Sequence, residues 1–156
     1  MNDILKFPNP ILKAVSVPVK LPISKEDRQL LDEMYSYVKT NNETAVGLSA
    51  IQVGEAKRMC AIRYFDGKSH FNYKLVNPKI IRHSPDYKLS FEGCLSVEDT
   101  IDKPVKRWRS VIVCGYDVIK NKNIIINADG FLATVLQHEL DHMDGILFID
   151  KLEEEK

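Results

Sequence analysis

The sequence predicts an α+β domain. Antiparallel β-sheets pack around a C-terminal helix that carries His-Glu-x-x-His, with one further helix near the N-terminus. Three observations lead there. Two segments with helical apolar spacing stand about a hundred residues apart. The chain between them breaks into short β-rich runs separated by turn residues. Several of those turns are short enough to make hairpins, which pair strands antiparallel. The 156 residues, 44% hydrophobic and 28% charged, fit a single catalytic domain spanning 1–156 with a core that needs no disulfide.

The elements follow in order. Residues 1–23 hold Pro8, Pro10, Pro18 and Pro22 and read as an irregular arm with one helical turn after Pro10. Ser24 is an N-cap, Asp27 lies in the first turn, and Leu30, Leu31, Met34 and Val38 recur at helical spacing; this predicts a helix over 25–40. The small residues Ala45 to Ala50 suggest close backbone approach. Residues 58–65 and 70–76 read as a hairpin turning at Asp66-Gly67. Asn77-Pro78 then introduces a separate extended segment at 79–83, and 86–91 reads as a strand. Residues 97–104 form an acidic loop. Ser110–Asp117 and Asn123–Asn127 make a second hairpin around Asn121. The second helix runs from near Gly130 to near Gly145, with Leu132, Val135, Leu136 and Met143 on its apolar face. Ile146–Ile149 reads as a final strand and 151–156 as a solvated tail.

Composition narrows the function. Lys plus Arg and Asp plus Glu are 22 each, so no global positive field attracts nucleic acid, and DNA is not an expected partner. No apolar run approaches the ~18 residues that would cross a bilayer, and the first residues lack a secretory pattern. A cytoplasmic protein is expected, or an organellar one if a presequence has been removed. The odd number and wide spacing of Cys60, Cys94 and Cys114 argue against a disulfide framework. Cys60 and Cys114 sit in apolar runs and read as small buried hydrophobes.

The chemistry begins at His138-Glu139-Leu140-Asp141-His142. On a helix, residues i and i+4 share a face, so both imidazoles reach one metal ion with Glu139 beside it. At this composition the pattern arises by chance with a probability of ~0.006. Two His do not complete a catalytic zinc-type centre, which takes three protein ligands and keeps one position for water. The other donors are many Asp and Glu, His70, His83 and the cysteines. Cys94, in Glu92-Gly93-Cys94-Leu95-Ser96, is the best of them.

Three segments together, Ala45 to Gln52, Glu92 to Ser96 and Gln137 to His142, resemble the peptide deformylase family. The family's Glu-Gly-Cys-Leu-Ser and Gln-His-Glu-x-Asp-His are matched at every specified position. Its Gly-x-Gly-Leu-Ala-Ala-x-Gln segment is matched except that Ala45 replaces a Gly and Ser49 an Ala. Pro8-Asn9-Pro10-Ile11-Leu12, Val76-Asn77-Pro78 and Gly145 to Asp150 extend the likeness to nearly the whole chain.

The resemblance implies metal ligands Cys94, His138 and His142, with Glu139 as general acid/base. Gln52 and the Leu95 N–H would bind the oxyanion. It implies Fe2+ as the working metal and Zn2+ as one commonly bound; Ni2+ and Co2+ also suit two imidazoles and a thiolate. The implied reaction hydrolyses the N-formyl group of formyl-methionyl peptides on nascent chains and releases formate. Such a metal makes its water nucleophilic near neutral pH. Glu139 would take that water's proton and pass it to the leaving amine. Thr134 and Val135 lie one turn before His138 on the same helix face. With Val46, Gly47, Phe131 and Leu95 they would line an apolar pocket for methionine, and residues 45–47 would pair with the peptide backbone. Thr134 stands where the family has Arg or Ile. Asp141 would act behind the ligands, paired with Arg107. A monomer is expected, with the ribosome as a candidate partner, although docking through a long C-terminal helix is not expected of a chain that stops soon after Asp150. Three alternatives compete: a protease for internal peptide bonds, a non-enzymatic metal binder, and a relative acting on another acylated amine.

Overall fold

The computed structural model describes residues 1–153. Helix α1 spans Lys25–Thr40, with the Ser24 hydroxyl accepting from the Asp27 N–H at 3.1 Å as the cap. Strands follow at Gly47–Ser49 (β1), Met59–Phe65 (β2), His70–His83 (β3), Tyr87–Ser90 (β4), Val105–Trp108 (β5), Ser110–Asp117 (β6) and Lys122–Asp129 (β7); helix α2 is Gly130–Met143. Short 3-10 turns occupy Pro10–Lys13, Ala50–Val53 and Phe148–Lys151. All strand pairs are antiparallel. One sheet has the order β1-β2-β3-β6-β7, and β4-β5 form a separate ribbon.

The five-stranded sheet is covered on both faces. Cys60 and Ile62 of β2 point to one side, where Val111, Val113, Leu132, Val135 and Leu136 pack. Met59 and Ala61 point to the other, against Leu31, Met34 and Val38 of α1. Period-two alternation therefore buries successive residues of one strand in two different cores. The C-terminal helix is thus one of two layers on the sheet. At the end of α2 the chain turns through Gly145 at φ +74°, and a Cβ there would collide with the backbone carbonyl of Lys13. Any larger residue is excluded by both strain and space.

Five local expectations are corrected. Asn77-Pro78 does not separate two strands: β3 continues through it as a bulge. Asn77 takes φ +51°, and its side-chain amide accepts from the Val19 N–H at 2.7 Å and donates to the Val19 carbonyl at 2.9 Å. This stitches the proline-rich arm to the sheet. Residues 105–108, for which no strand was expected, form β5, whose alternation is masked by Lys106 and Arg107. The expected last strand at 146–149 is instead the 3-10 turn Phe148–Lys151, where the Asp150 carboxylate accepts from the Leu147 N–H at 2.8 Å. The tail expected at 151–156 begins docked: Leu152 bridges Val105 and the Glu153 N–H donates to the Pro104 carbonyl at 2.8 Å, while 154–156 lie outside the described residues. Cys60 is buried as expected; Cys114 is only half-buried, on the sheet face opposite Val113.

Candidate active site

Three segments distant in sequence meet beside α2. Strand β1 lies along the helix, the Ala50–Val53 turn follows it, and the chain between β4 and β5 brings in Cys94. His138 and His142 sit one turn apart on α2. Their Nε2 atoms are 3.2 Å from each other, and Cys94 Sγ is 3.4 Å from His142 Nε2. The three ligand atoms all lie within 4.8 Å of one another. Metal–N bonds of about 2.1 Å and metal–S bonds of about 2.3 Å, arranged tetrahedrally, separate neighbouring donors by about 3.3–3.6 Å. The triangle has the size and chemistry to hold one divalent cation. His70 and His83 are elsewhere: His70 stacks on Phe65 at the β2–β3 turn, and His83 stacks on Trp108.

The imidazoles differ electrostatically. Burial pushes the His142 pKa well down, with help from His138, so His142 presents a neutral lone pair. Burial also opposes charge on His138. Hydrogen bonding to Cys94 and Glu92 outweighs this and raises its pKa to about 10.

Behind the ligands lies a buried ionic network. His138 Nδ1 donates to Glu92 Oε1 at 2.9 Å, which leaves Nε2 for the site. Arg107 donates to both Glu92 oxygens, at 2.8 and 2.7 Å, and to Asp141 Oδ2 at 2.6 Å. Burial would raise the Glu92 pKa, but the hydrogen bonds from Arg107 and His138 bring it down to about 2. The Arg107–Asp141 pair expected from the sequence is present. It is no surface pair, since Arg107 is 2% exposed. The sequence alone gives Glu92 no expected role. Its position two residues before Cys94, within a matched segment, is the signal that could have found it.

Gln52 is fixed at both ends. Its Oε1 accepts from the Ser49 N–H at 2.9 Å, and its Nε2 donates to Ser96 Oγ at 3.1 Å and points at Cys94 Sγ, 3.6 Å away. Glu139 is buried with one carboxylate oxygen, Oε1, against Gly47; a Cβ on Gly47 would stand 2.7 Å from it. Oε2 accepts from the Ser49 hydroxyl at 2.7 Å. Burial raises the Glu139 pKa, while His138 and the Ser49 hydrogen bond pull it down. From the sequence, Ser49 stands out only as a departure from a motif.

These groups open onto a cavity of about 710 Å³. Val46, Gly47, Gln52, Leu95, Phe131, Thr134, Val135, His138 and Glu139 all line it, as does Cys94. Phe131 stands at the rim, half-exposed and edge-on to Tyr64 at 5.0 Å. The Val97–Ile101 stretch of the acidic loop forms part of the opposite wall. Leu95 adjoins Cys94, and its carbonyl accepts from Lys6 Nζ at 2.6 Å. No helix among the described residues is long and apolar enough to cross a membrane.

Comparison with known proteins identifies the family. The family model described as polypeptide deformylase matches residues 1–156. Peptide deformylase 2 of Bacillus subtilis (strain 168) is 38% identical over 168 residues, covering 99% of this chain and 91% of that protein. A peptide deformylase structure from Legionella pneumophila superposes with a TM-score of 0.84 at 34% identity, over 98% of this chain and 86% of that one. A class I type b peptide deformylase from Acinetobacter baumannii, solved with Met-Ala-Ser bound, gives a TM-score of 0.85 at 30% identity over 97% and 98% of the two chains. With the match running from one end of the sequence to the other and the fold shared throughout, the chain belongs to the polypeptide deformylase family of metal-dependent hydrolases.

Proposed function

We propose that residues 1–156 act as one catalytic unit that removes the N-formyl group from formyl-methionyl peptides of nascent chains. The observation that carries this reading is the convergence of Glu139, Gln52, Cys94 and His138 on one apolar-lined cavity, with His142 completing the ligand triangle. The Met-Ala-Ser bound to the Acinetobacter baumannii relative is the expected product of formyl-Met-Ala-Ser hydrolysis.

Val46, Phe131, Thr134 and Val135 would receive the methionine side chain, whose flexibility suits an irregular wall. Gly47 admits both the peptide backbone and the Glu139 carboxylate, because any side chain there would meet Glu139. A divalent cation held by Cys94, His138 and His142 would supply the Lewis acidity that makes water a nucleophile at neutral pH and polarises the formyl carbonyl. Fe2+ is the proposed working metal, with Zn2+, Ni2+ or Co2+ as functional substitutes. Glu139 takes one proton from the attacking water as the O–C bond forms. It delivers that proton to the amine nitrogen as the C–N bond breaks, leaving formate and a free N-terminus. Gln52 Nε2 and the Leu95 N–H receive the oxyanion. The Ser49 N–H and Ser96 hydroxyl hold the Gln52 amide in the required orientation before substrate arrives. Glu92 fixes the His138 ring and tautomer. A cytoplasmic, monomeric enzyme that meets its substrates near the ribosome completes the reading.

The test is an anaerobic assay of Fe2+-loaded protein on formyl-Met-Ala-Ser, with formate as readout and an unformylated peptide beside it. Formate release that disappears in Cys94→Ala supports the proposal. Cleavage of internal bonds instead supports a protease, and no reaction from metal-replete protein overturns the reading. In the same assay Gln52→Ala should lower kcat by about 10²-fold with metal still bound, as for loss of one oxyanion donor. A change below threefold would remove Gln52 from the mechanism.

A further inference from the structure

Ser49 occupies a junction of the site. Its backbone N–H holds Gln52 Oε1, and its hydroxyl lies 2.7 Å from Glu139 Oε2 and 3.0 Å from the Glu139 main-chain carbonyl. The residue is fully buried, as is the carboxylate it touches. On the other side of that carboxylate Gly47 packs against Oε1. The Glu139 head is thus clamped between a glycine Cα and a serine hydroxyl, both on β1.

We propose that Ser49 is a positioning residue for Glu139, its hydroxyl holding Oε2 so that Oε1 stays at the cavity wall throughout turnover. This rests on the deformylase reading above. A carboxylate oxygen accepts, so the hydroxyl donates to Oε2 at 2.7 Å, with the Glu139 main-chain carbonyl as a second acceptor at 3.0 Å. With Oε2 held in this way, Oε1 on the Gly47 side is the oxygen left to exchange a proton at the cavity. Alanine, the residue of the resembled motif at this position, has no such donor to offer. The hydroxyl is a feature of this chain's own site. Removing it does not touch the Gln52 contact, which comes from the backbone.

The experiment compares the full-length metal-loaded protein with Ser49→Ala and Ser49→Thr. Ser49→Ala should lower kcat for formyl-Met-Ala-Ser roughly 10- to 100-fold with KM within about twofold, the size expected for losing a hydrogen bond to a charged group. Ser49→Thr, which keeps the hydroxyl, should recover most of that loss. A crystal structure of Ser49→Ala should show the Glu139 carboxylate rotated or divided between two positions. The proposal is overturned by a kcat within twofold of the parent. It is also overturned by a loss that tracks metal content or melting temperature, or by an unmoved carboxylate in the Ser49→Ala crystal. If the parent itself releases no formate, the deformylase reading fails, and the carboxylate position alone decides the role of Ser49.

Discussion

Glu139→Gln is expected to lower kcat on formyl-Met-Ala-Ser by at least about 10²-fold while the protein stays folded and metal-loaded. The substitution keeps the side chain's size, so the packing against Gly47 survives. What it removes is a group able to take a proton and give it back. Burial has already raised the carboxyl pKa, with His138 and Ser49 opposing the shift. A carboxyl moved towards neutrality is better matched to taking a proton from water and releasing it to an amine. The carboxylates of the ionic network are already committed. Glu92 also lines the cavity but is held by His138 and Arg107. Asp141 is paired with Arg107 and Lys151. Formate release and metal content measured on one preparation decide the matter. Turnover near the parental rate with metal bound would remove Glu139 from the role of acid/base.

Arg107→Met is expected to destabilise the fold by about 3–5 kcal/mol, the usual result of removing one member of a buried ionic cluster. Arg107 is 2% exposed and makes three charge-assisted hydrogen bonds, two to Glu92 and one to Asp141. Methionine fills much of the volume but answers neither carboxylate. Glu92 and Asp141 would then sit close together in a poorly solvated site without their cation. Glu92 would lose much of what holds its pKa near 2, and the His138 ring would lose its fixed acceptor. The urea midpoint should drop substantially and metal affinity should weaken with it. Arg109→Met, which breaks an exposed pair with Asp86, serves as control and should leave the midpoint nearly unchanged. Equal effects at the two arginines would show that burial of the Arg107 network carries no special weight.

Much of the architecture was readable locally. Helix α1 was expected at 25–40 and occupies those residues, because an N-cap serine and four apolar residues at helical spacing are local signals. Both hairpins turn where Gly67 and Asn121 accept positive φ. The errors also have local causes. Asn77-Pro78 looks like a break because proline lacks an N–H, yet Asn77 is anchored by a residue 58 positions away in sequence. β5 hides behind Lys106 and Arg107, and Arg107 is buried only because two carboxylates from distant segments surround it.

The sequence by itself determined the periodic elements and the i,i+4 histidine pair on α2, while Cys94 came forward as the candidate third donor through the resemblance to a family. The first two are written in neighbouring residues, where spacing converts directly into a shared face. Only the tertiary structure decided which groups orient those donors. The Ser49 hydroxyl meets Glu139 across 90 residues of chain, and Glu92 meets His138 across 46. A hydrogen bond of that span leaves no pattern in the residues around either partner. It exists because β1, the β4–β5 connection and α2 are held together by a sheet with a hydrophobic core on each face.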